Sequence, residues 1–308
     1  MSYLSRLSVI LSQTSFRWFW LGSSTQSVAQ ATQFLAIGWL VLEVTGSSAQ
    51  LGLVIFLYGV PNVAFLLVAG VIADLFDRRH VLIVTQAGVG GLIAALGILT
   101  LTDVIVIWHV YVAAALLGVV QSLNMPARMT MVSDLVDQGS LLDAVAMQNA
   151  AVHAGRIAGP PIAGVIIEVW GLSASLLAIA GCYVVSVACV ANIGRTSQTT
   201  QAMVQSVFRN FADGVSFIKD NPVVLTVIVI TCSFGGFGMS HLQILPAMVK
   251  DTLGVGATGV GLLYLASGIG SLMGNVLLPL LGTSNICLLY TSDAADEGLG
   301  VDLGGRRI

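Results

Sequence analysis

The sequence predicts an all-α protein that crosses a membrane many times. Hydrophobic residues make up 56% of the 308 positions, and the mean hydropathy is +0.93. Charged residues account for only 9% of the chain, and none occurs in residues 44–73 or 81–102. A soluble core does not use so much apolar sequence, so the composition indicates a membrane protein. The apolar runs lack the alternation of barrel strands, which favours a polytopic membrane helix bundle.

The apolar runs are long enough to cross a bilayer as helices, because about 20 residues span its hydrocarbon core. Inside lipid, a continuous helix satisfies its own backbone N–H and C=O groups. Residues 194–221 start as a polar linker and end in a predicted amphipathic helix, residues 203–219, suited to a membrane surface. The predicted spans are residues 18–42, 48–73, 81–102, 105–126, 142–167, 172–193, 222–247 and 257–282.

The basic residues predict the orientation of the bundle, since cytoplasmic loops are enriched in Lys and Arg. With the spans placed as above, one side of the membrane has a single basic residue, Lys250. The asymmetry predicts a cytoplasmic N-terminus. The basic residues that share the opposite side are Arg6, Arg17, Arg78, Arg79, Arg128, Arg195, Arg209 and Lys219.

Several other function classes lack support in the sequence. Basic residues form no stripe suited to nucleic acid, and the 4 cysteines form no C-x-x-C pair typical of a metal site. Residues 254–259 match G-x-G-x-x-G, but they join two membrane spans and therefore predict only a glycine-rich turn. No P-loop, G-x-S-x-G or H-E-x-x-H motif occurs. The sequence therefore predicts no enzymatic activity, no bound metal and no cofactor.

The first span carries three amide side chains on one helical face. Gln26, Gln30 and Gln33 follow one another at i, i+4 and i+7. Amides are costly in hydrocarbon and normally face protein or water. Two interpretations stay open: hydrogen bonds between helices, or the wall of a substrate pathway.

A polar stripe marks the fifth span. Asn149, His153, Arg156 and Pro160 recur at i, i+4, i+7 and i+11 on an otherwise small and apolar helix. An arginine at mid-span is costly unless it meets water or a partner, so Arg156 predicts a wet cavity. Histidine readily changes charge near physiological pH. Asn149, His153 and Arg156 are therefore candidates for substrate or proton handling.

A charged turn, residues 70–80, separates the second and third spans. It contains Gly-x-x-x-Asp-x-x-x-Arg-Arg, which resembles the loop between helices two and three of the major facilitator superfamily of secondary transporters. Leu75 stands where that family usually has a basic residue, and an aspartate before the arginines is similar to the drug- and siderophore-exporter branch. The resemblance implies a cytoplasmic gating motif. Its residues are Gly70, Asp74, Asp77, Arg78 and Arg79.

Two further segments carry the same resemblance. Residues 121–128, Gln-Ser-Leu-Asn-Met-Pro-Ala-Arg, resemble the end of helix four in that branch. Residues 155–164 resemble the helix-five motif Gly-x-x-x-Gly-Pro-x-x-Gly-Gly of antiporters, with Ala163 in place of one glycine. Glycine and proline there predict a locally bent helix with a thin face for close packing. The matching residues are Gly155, Gly159, Pro160 and Gly164.

The resemblance covers residues 16–282 and implies proton-coupled efflux of small organic molecules by alternating access. Residues 1–193 would form a complete six-helix half, 194–221 a cytoplasmic linker, and 222–282 the first two helices of a second half. The implied location is the bacterial inner membrane. The implied partners are a small-molecule substrate, protons and the lipid bilayer, with no nucleic acid. An importer or uniporter of the same fold is one alternative. A non-transporting receptor or scaffold is another, because the first span carries no acidic residue.

The last residues do not continue the pattern of the family. Residues 287–297 resemble a translated sequencing adapter, so residues 283–308 are expected to be a non-native tail. The chain is then expected to be a fragment that does not transport alone. In such a fragment, Gly261, Gly268 and Gly274 would lie on faces meant for absent neighbours.

Overall fold

The computed structural model describes residues 10–194, 216–219, 221–235, 240–250 and 256–280. These residues form helices joined by short turns, with no strand among them, so the predicted all-α class is confirmed. Six helices are long and apolar enough to cross a membrane. They are α1 (Thr14–Thr45), α2 (Ser48–Leu75), α3 (Arg78–Leu101), α4 (Ile107–Leu135), α5 (Leu141–Trp170) and α6 (Leu172–Ala191).

Three further helices follow in the described part of the chain. α7 (Pro222–Ser233) and α8 (Ser240–Met248) lie within the predicted seventh span, and residues 236–239 between them are outside the described residues. α9 (Ala257–Leu280) matches the predicted eighth span. Of the predicted amphipathic helix, only residues 216–219 are described, and they are helical. Residues 283–308 also lie outside the described residues.

Short connections arrange the long helices in alternating directions. Gly46 ends α1 in the left-handed conformation, with φ of 61°, and its N–H donates to Leu42 O at 3.0 Å. Glycine adopts this conformation without steric cost. Asp77 begins α3 by accepting a hydrogen bond from the Arg79 N–H at 3.0 Å. The ends of α2, α4 and α6 and the start of α3 therefore meet at one end of the bundle, here called the charged end.

Small residues let these helices approach closely. α1 packs against α5 and α6, α3 against α6 and α4, and α2 against α4. A Cβ atom at Gly118 of α4 would lie 2.2 Å from the Tyr58 carbonyl oxygen of α2, and one at Gly90 of α3 would lie 2.9 Å from Tyr183 Cβ of α6. Interfaces of this kind are typical of membrane helices, which gain stability from close packing.

The outward faces of the bundle are apolar. Large side chains such as Phe56 and Val63 of α2 are exposed, and so are Trp108 and Trp170 near the ends of α4 and α5. Exposed apolar surface of this extent suits contact with lipid tails, while tryptophan favours the membrane interface. The chain divides into two compact units, residues 1–266 and 267–308. In the second unit, the described residues are the later turns of α9.

Candidate functional site

The row of glutamines on α1 faces the interior of the bundle. Gln26 and Gln33 are 0% and 1% exposed, and Gln30 between them is half-buried. Their i, i+4, i+7 spacing explains why one face of α1 carries all three. The row therefore brings amide groups into a part of the bundle that is otherwise apolar.

Gln26 is the centre of a hydrogen-bond network that links three helices. Its Nε2 donates to Asn124 Oδ1 of α4 at 2.7 Å, and its Oε1 accepts from Gln86 Nε2 of α3 at 3.0 Å. Asn124 Nδ2 donates in turn to Thr85 Oγ1 at 3.2 Å. The Arg128 guanidinium also donates to Asn124 Oδ1, at 3.1 Å. Each such bond between membrane helices contributes on the order of 1 kcal/mol, so the network holds α1 against α3 and α4.

This network has unused hydrogen-bonding capacity. Within the described residues, Gln86 Oε1 and Gln121 Nε2 are buried and have no hydrogen-bond partner. Gln121 shares one face of α4 with Asn124 and Arg128, at i, i+3 and i+7. A buried polar atom without a partner costs about 1–3 kcal/mol. Water, or a polar group of a ligand, would be stabilised beside these atoms.

Gln33 lines a cavity of about 110 Å³ between α1, α2 and α4. Its Oε1 accepts a hydrogen bond from the Tyr183 hydroxyl of α6 at 3.1 Å. The Phe34 and Tyr58 rings meet edge to face in the wall, with centroids 5.6 Å apart. An apolar wall with a few polar groups is typical of small-molecule sites. The other lining residues are Ile37, Gly38, Leu51, Val54, Ile55, Ala114 and Leu117.

The helix-five motif packs α5 on α1. A Cβ atom at Gly155 would lie 2.7 Å from the Ser27 carbonyl carbon, and one at Gly159 would lie 3.0 Å from the Val28 carbonyl oxygen. Real Cβ atoms do not approach backbone so closely, so a side chain at Gly155 would push the helices apart. The Trp20 indole N–H adds a hydrogen bond to the Met147 carbonyl at 3.2 Å.

The other end of the motif packs on the first turns of α9. A Cβ atom at Gly164 would lie 2.6 Å from the Ala257 carbonyl oxygen, and one at Gly261 would lie 2.8 Å from the Pro160 carbonyl oxygen. The expectation that Gly261 would lack a packing neighbour is therefore wrong. The backbone of α5 at Pro160 and Pro161 packs against Gly261, in the space that a side chain at Gly261 would need.

The polar stripe of α5 is not part of the buried network. Asn149, His153 and Arg156 are exposed, while Pro160, the fourth member of the stripe, is buried. Within the described residues, none of the three polar side chains makes a hydrogen bond or an ion pair. Gln26 hydrogen-bonds with α3 and α4 and not with this stripe. The two sets of predicted pathway residues thus lie in different places, the glutamines of α1 inside the bundle and the polar residues of α5 on its surface.

The charged end holds most of the predicted gating motif. Arg78 forms an ion pair with Asp134 of α4. The Arg79 guanidinium donates to the Val190 carbonyl of α6 at 3.3 Å and to the Ala191 carbonyl. A cation at the carbonyl end of a helix is favourable because that end carries partial negative charge. The two arginines therefore tie the start of α3 to the ends of α4 and α6.

The other residues of the motif have separate positions. Asp77 accepts from the Arg79 N–H and pairs its second carboxylate oxygen with His80 Nδ1 at 2.9 Å. Gly70 is a half-buried residue of α2, and among the described residues no atom of another helix lies within 4 Å of a Cβ placed there. The Asp74 side chain lies outside the described residues.

Sequence reasoning missed the α3 and α4 members of the buried network. Thr85 and Gln86 are isolated polar residues in an apolar run, and the pattern presents Arg128 as a marker of orientation and as the last residue of the helix-four resemblance. The available signal was the i, i+3, i+7 spacing of Gln121, Asn124 and Arg128. Read as a polar face, it predicts an inward partner for the glutamines of α1.

Comparison with known proteins identifies the family. The family described as "Transmembrane secretion effector" matches residues 6–287. The Staphyloferrin A transporter of Staphylococcus aureus (strain NCTC 8325 / PS 47) is 32% identical over 154 residues, which are 50% of this chain and 39% of that protein. Macrolide efflux protein A of Streptococcus pyogenes is 20% identical over 293 residues, 94% of this chain and 72% of that protein.

A third relative is the Multidrug efflux pump Tap of Mycolicibacterium fortuitum, 26% identical over 259 residues, 81% of this chain and 63% of that protein. The chain thus spans less than two thirds of the length of two of these three relatives. The relatives are bacterial transporters by name, and the helices described above are those of a multi-pass membrane protein. Because the family match covers most of the chain, the protein belongs to the Transmembrane secretion effector family of the major facilitator superfamily, in its drug- and siderophore-exporter branch.

Proposed function

We propose that this protein exports small organic molecules from the cell in exchange for protons, by alternating access. The observation that carries the proposal is the cavity of about 110 Å³ inside a member of an exporter family. It lies between the predicted substrate-pathway helix α1 and helices α2 and α4. Relatives named for macrolide and multidrug efflux support the direction of transport.

The cavity favours an apolar group of the substrate. Its walls are mainly aliphatic and aromatic, with Gln33 and Tyr58 as the polar lining residues. A dry apolar cavity of about 150 Å³ holds a benzene molecule, so this cavity suits a group of about ring size or smaller. Gln33 or Tyr58 would orient it through one hydrogen bond. Water or a polar part of the substrate would bind beside Gln86 and Gln121.

The stripe of α5 forms the second part of the proposed pathway. Arg156 is exposed near the middle of a 30-residue helix, far from both ends. A guanidinium at that depth is costly in lipid, so the stripe would face a water-filled space between two halves of the transporter. Asn149 and His153 lie on the same stripe, and the imidazole is suited to exchange a proton.

The charged end would be the cytoplasmic gate. There Arg78 and Arg79 tie α3 to the ends of α4 and α6. A shift of α2 relative to these helices would act on Gly70, Asp74 and Asp77. The basic residues of this end favour a cytoplasmic N-terminus in the bacterial inner membrane. Residues 1–193 would form one half, 194–221 the linker, and 222–282 helices of a second half.

The test uses inside-out vesicles that contain the complete gene product. With a proton gradient imposed, a fluorescent apolar compound should accumulate, and Arg156→Ala should abolish accumulation. Arg17→Ala is the matched control, because Arg17 is an exposed arginine in the first turn of α1, and it should leave accumulation unchanged. Normal accumulation by the Arg156→Ala variant would contradict the assigned pathway. Transport without a proton gradient would favour a uniporter, and binding without transport would favour a receptor.

A further inference from the structure

Arg128 is a cation at the edge of the buried network, and it forms no ion pair among the described residues. Its side chain is half-buried and turns back along α4, where the guanidinium donates to Asn124 Oδ1 at 3.1 Å. Asp134, nearer the end of the same helix, pairs with Arg78 instead. A charge that is partly withdrawn from water is costly unless it is paired. The guanidinium therefore favours a negatively charged partner that the described part of the chain does not supply.

A second donor without an acceptor lies on the same face of α4. Gln121 is 6% exposed, and within the described residues its Nε2 has no hydrogen-bond partner. Asn124 Oδ1 does not supply an acceptor, because it already accepts from Gln26 and Arg128 and its lone pairs are then both occupied. Leaving a buried donor unpaired is costly. An oxygen atom of a ligand would therefore be stabilised beside this amide as well as beside the guanidinium.

The face of α4 that carries these donors also lines the apolar cavity. It consists of Ala114, Leu117, Gln121, Asn124 and Arg128, spaced by three or four residues. The first two of them line the cavity, and the last three are polar. The seven residues from Leu117 to Asn124 rise by about 10 Å along the helix. An apolar group in the cavity and an anionic group at the guanidinium would thus lie about 10 Å apart.

We propose that the protein recognises amphiphilic carboxylates, with the apolar group in the cavity and the carboxylate held by Arg128 and Gln121. The guanidinium presents a planar fork of N–H donors that matches a carboxylate. Gln86 Oε1, an acceptor of α3 without a partner among the described residues, would receive a hydrogen bond from water or from a hydroxyl group beside the carboxylate. The inference rests on the proposed function, because it names the class of substrate that the proposed exporter would carry.

The experiment measures binding and not transport. The full chain is purified in mild detergent, and calorimetry gives its affinity for ω-phenyloctanoate and for the neutral amide of the same acid. The parent should bind the acid about tenfold more tightly than the amide, the size expected for a charged hydrogen bond. Arg128→Gln should abolish this preference. Each probe partitions into the detergent equally for all variants, so a change in the ratio of the two affinities reports on the protein alone.

Phenylacetate tests the spacing, because its carboxylate lies next to the ring. It is too short to occupy the cavity and reach the guanidinium together, so Arg128→Gln should leave its affinity unchanged. An equal loss of affinity for phenylacetate and ω-phenyloctanoate in Arg128→Gln would contradict the proposed placement of the two groups.

Arg17→Gln is the matched control, because Arg17 is exposed in the first turn of α1, and it should keep the parent's preference for the acid. No measurable binding of the acid, an unchanged preference in Arg128→Gln, or an equal loss in Arg17→Gln would overturn the proposal. If Arg128→Gln loses its helical circular dichroism, Gln121→Leu decides. It removes an amide without a donor contact in the described residues and should lower the preference about threefold; an unchanged preference would overturn the proposal.

Asp74→Asn tests whether that carboxylate is the partner of the guanidinium. The substitution should leave the preference for the acid unchanged, whereas a clearly stronger preference would assign Asp74 to Arg128 and overturn the proposal. Because no transport is measured, failure here leaves efflux of neutral compounds standing. A chain that prefers the acid but does not transport would keep this inference and lose the proposed function.

Discussion

The contact between α5 and α1 provides a quantitative prediction. Gly155→Ala would place a methyl group 2.7 Å from the Ser27 carbonyl carbon and 2.8 Å from the Val28 nitrogen. Both atoms are backbone, so rotation of a side chain cannot relieve the overlap. Either α5 or α1 must move.

The expected magnitude follows from a matched pair of variants. Gly91→Ala in α3 is the control, because among the described residues no atom of another helix lies within 4 Å of a Cβ at that position. Both substitutions replace glycine with alanine inside a long helix, so the helix-propensity gain of up to about 1 kcal/mol is common to both. Overpacking costs about 1–3 kcal/mol. Gly155→Ala should therefore be less stable than Gly91→Ala by about 1–3 kcal/mol.

The assay is unfolding of the purified chain by SDS in mixed micelles, followed by circular dichroism. Gly91→Ala should unfold at the same or a higher SDS fraction than the parent, and Gly155→Ala at a clearly lower one. Gly159→Ala should fall between them, since its closest atoms are 3.0 Å away. Equal unfolding midpoints for Gly155→Ala and Gly91→Ala would refute the close approach of α5 and α1.

Three further predictions concern the network and the charged end. Gln26→Leu leaves Gln86 Nε2 without its partner and removes one of the two hydrogen bonds to Asn124 Oδ1, so it should lower stability by about 1–3 kcal/mol in the SDS assay; no loss would contradict the network. Asp134→Asn removes a partly exposed ion pair with Arg78, so stability should change by less than about 1 kcal/mol while the transport rate of the complete gene product changes. A normal transport rate would argue against a role of the pair in gating. Asp74→Asn should shift the balance of inward-open and outward-open states, measured by spin-label distances, at unchanged expression; an unshifted balance would remove Asp74 from the gate.

The sequence was sufficient for the overall architecture. Uninterrupted apolar runs leave helices as the one structure that satisfies the backbone in lipid, and the six predicted spans up to residue 193 correspond to α1–α6. The charged turn predicted over residues 70–80 is also the joint at which Asp77 begins α3. Helix ends differ from the predicted spans by several residues, because helices extend beyond the hydrocarbon core. α1, for example, begins at Thr14 and not at residue 18.

Partners in space were harder to predict. The three glutamines of α1 were visible as a row, but periodicity does not show which neighbouring helix meets them. Asn124 and Gln86 are partners of Gln26 through tertiary packing, although they lie 98 and 60 positions away in the chain. The same holds for Arg78, whose described partner, Asp134, is 56 positions away. Pairing of residues within a turn can be predicted from their spacing in the sequence. Pairing of residues on different helices can be predicted only when the arrangement of the helices is known.

The most direct test of the account is the coupling of substrate efflux to proton movement. The complete gene product would be reconstituted in liposomes that contain a pH-sensitive dye, and a transported compound would be supplied on one side. Proton-coupled export predicts that the compound and protons move in opposite directions across the membrane, and that Arg156→Ala abolishes both movements. Movement of the compound and protons in the same direction, or movement of the compound with no change in the dye signal, would contradict it.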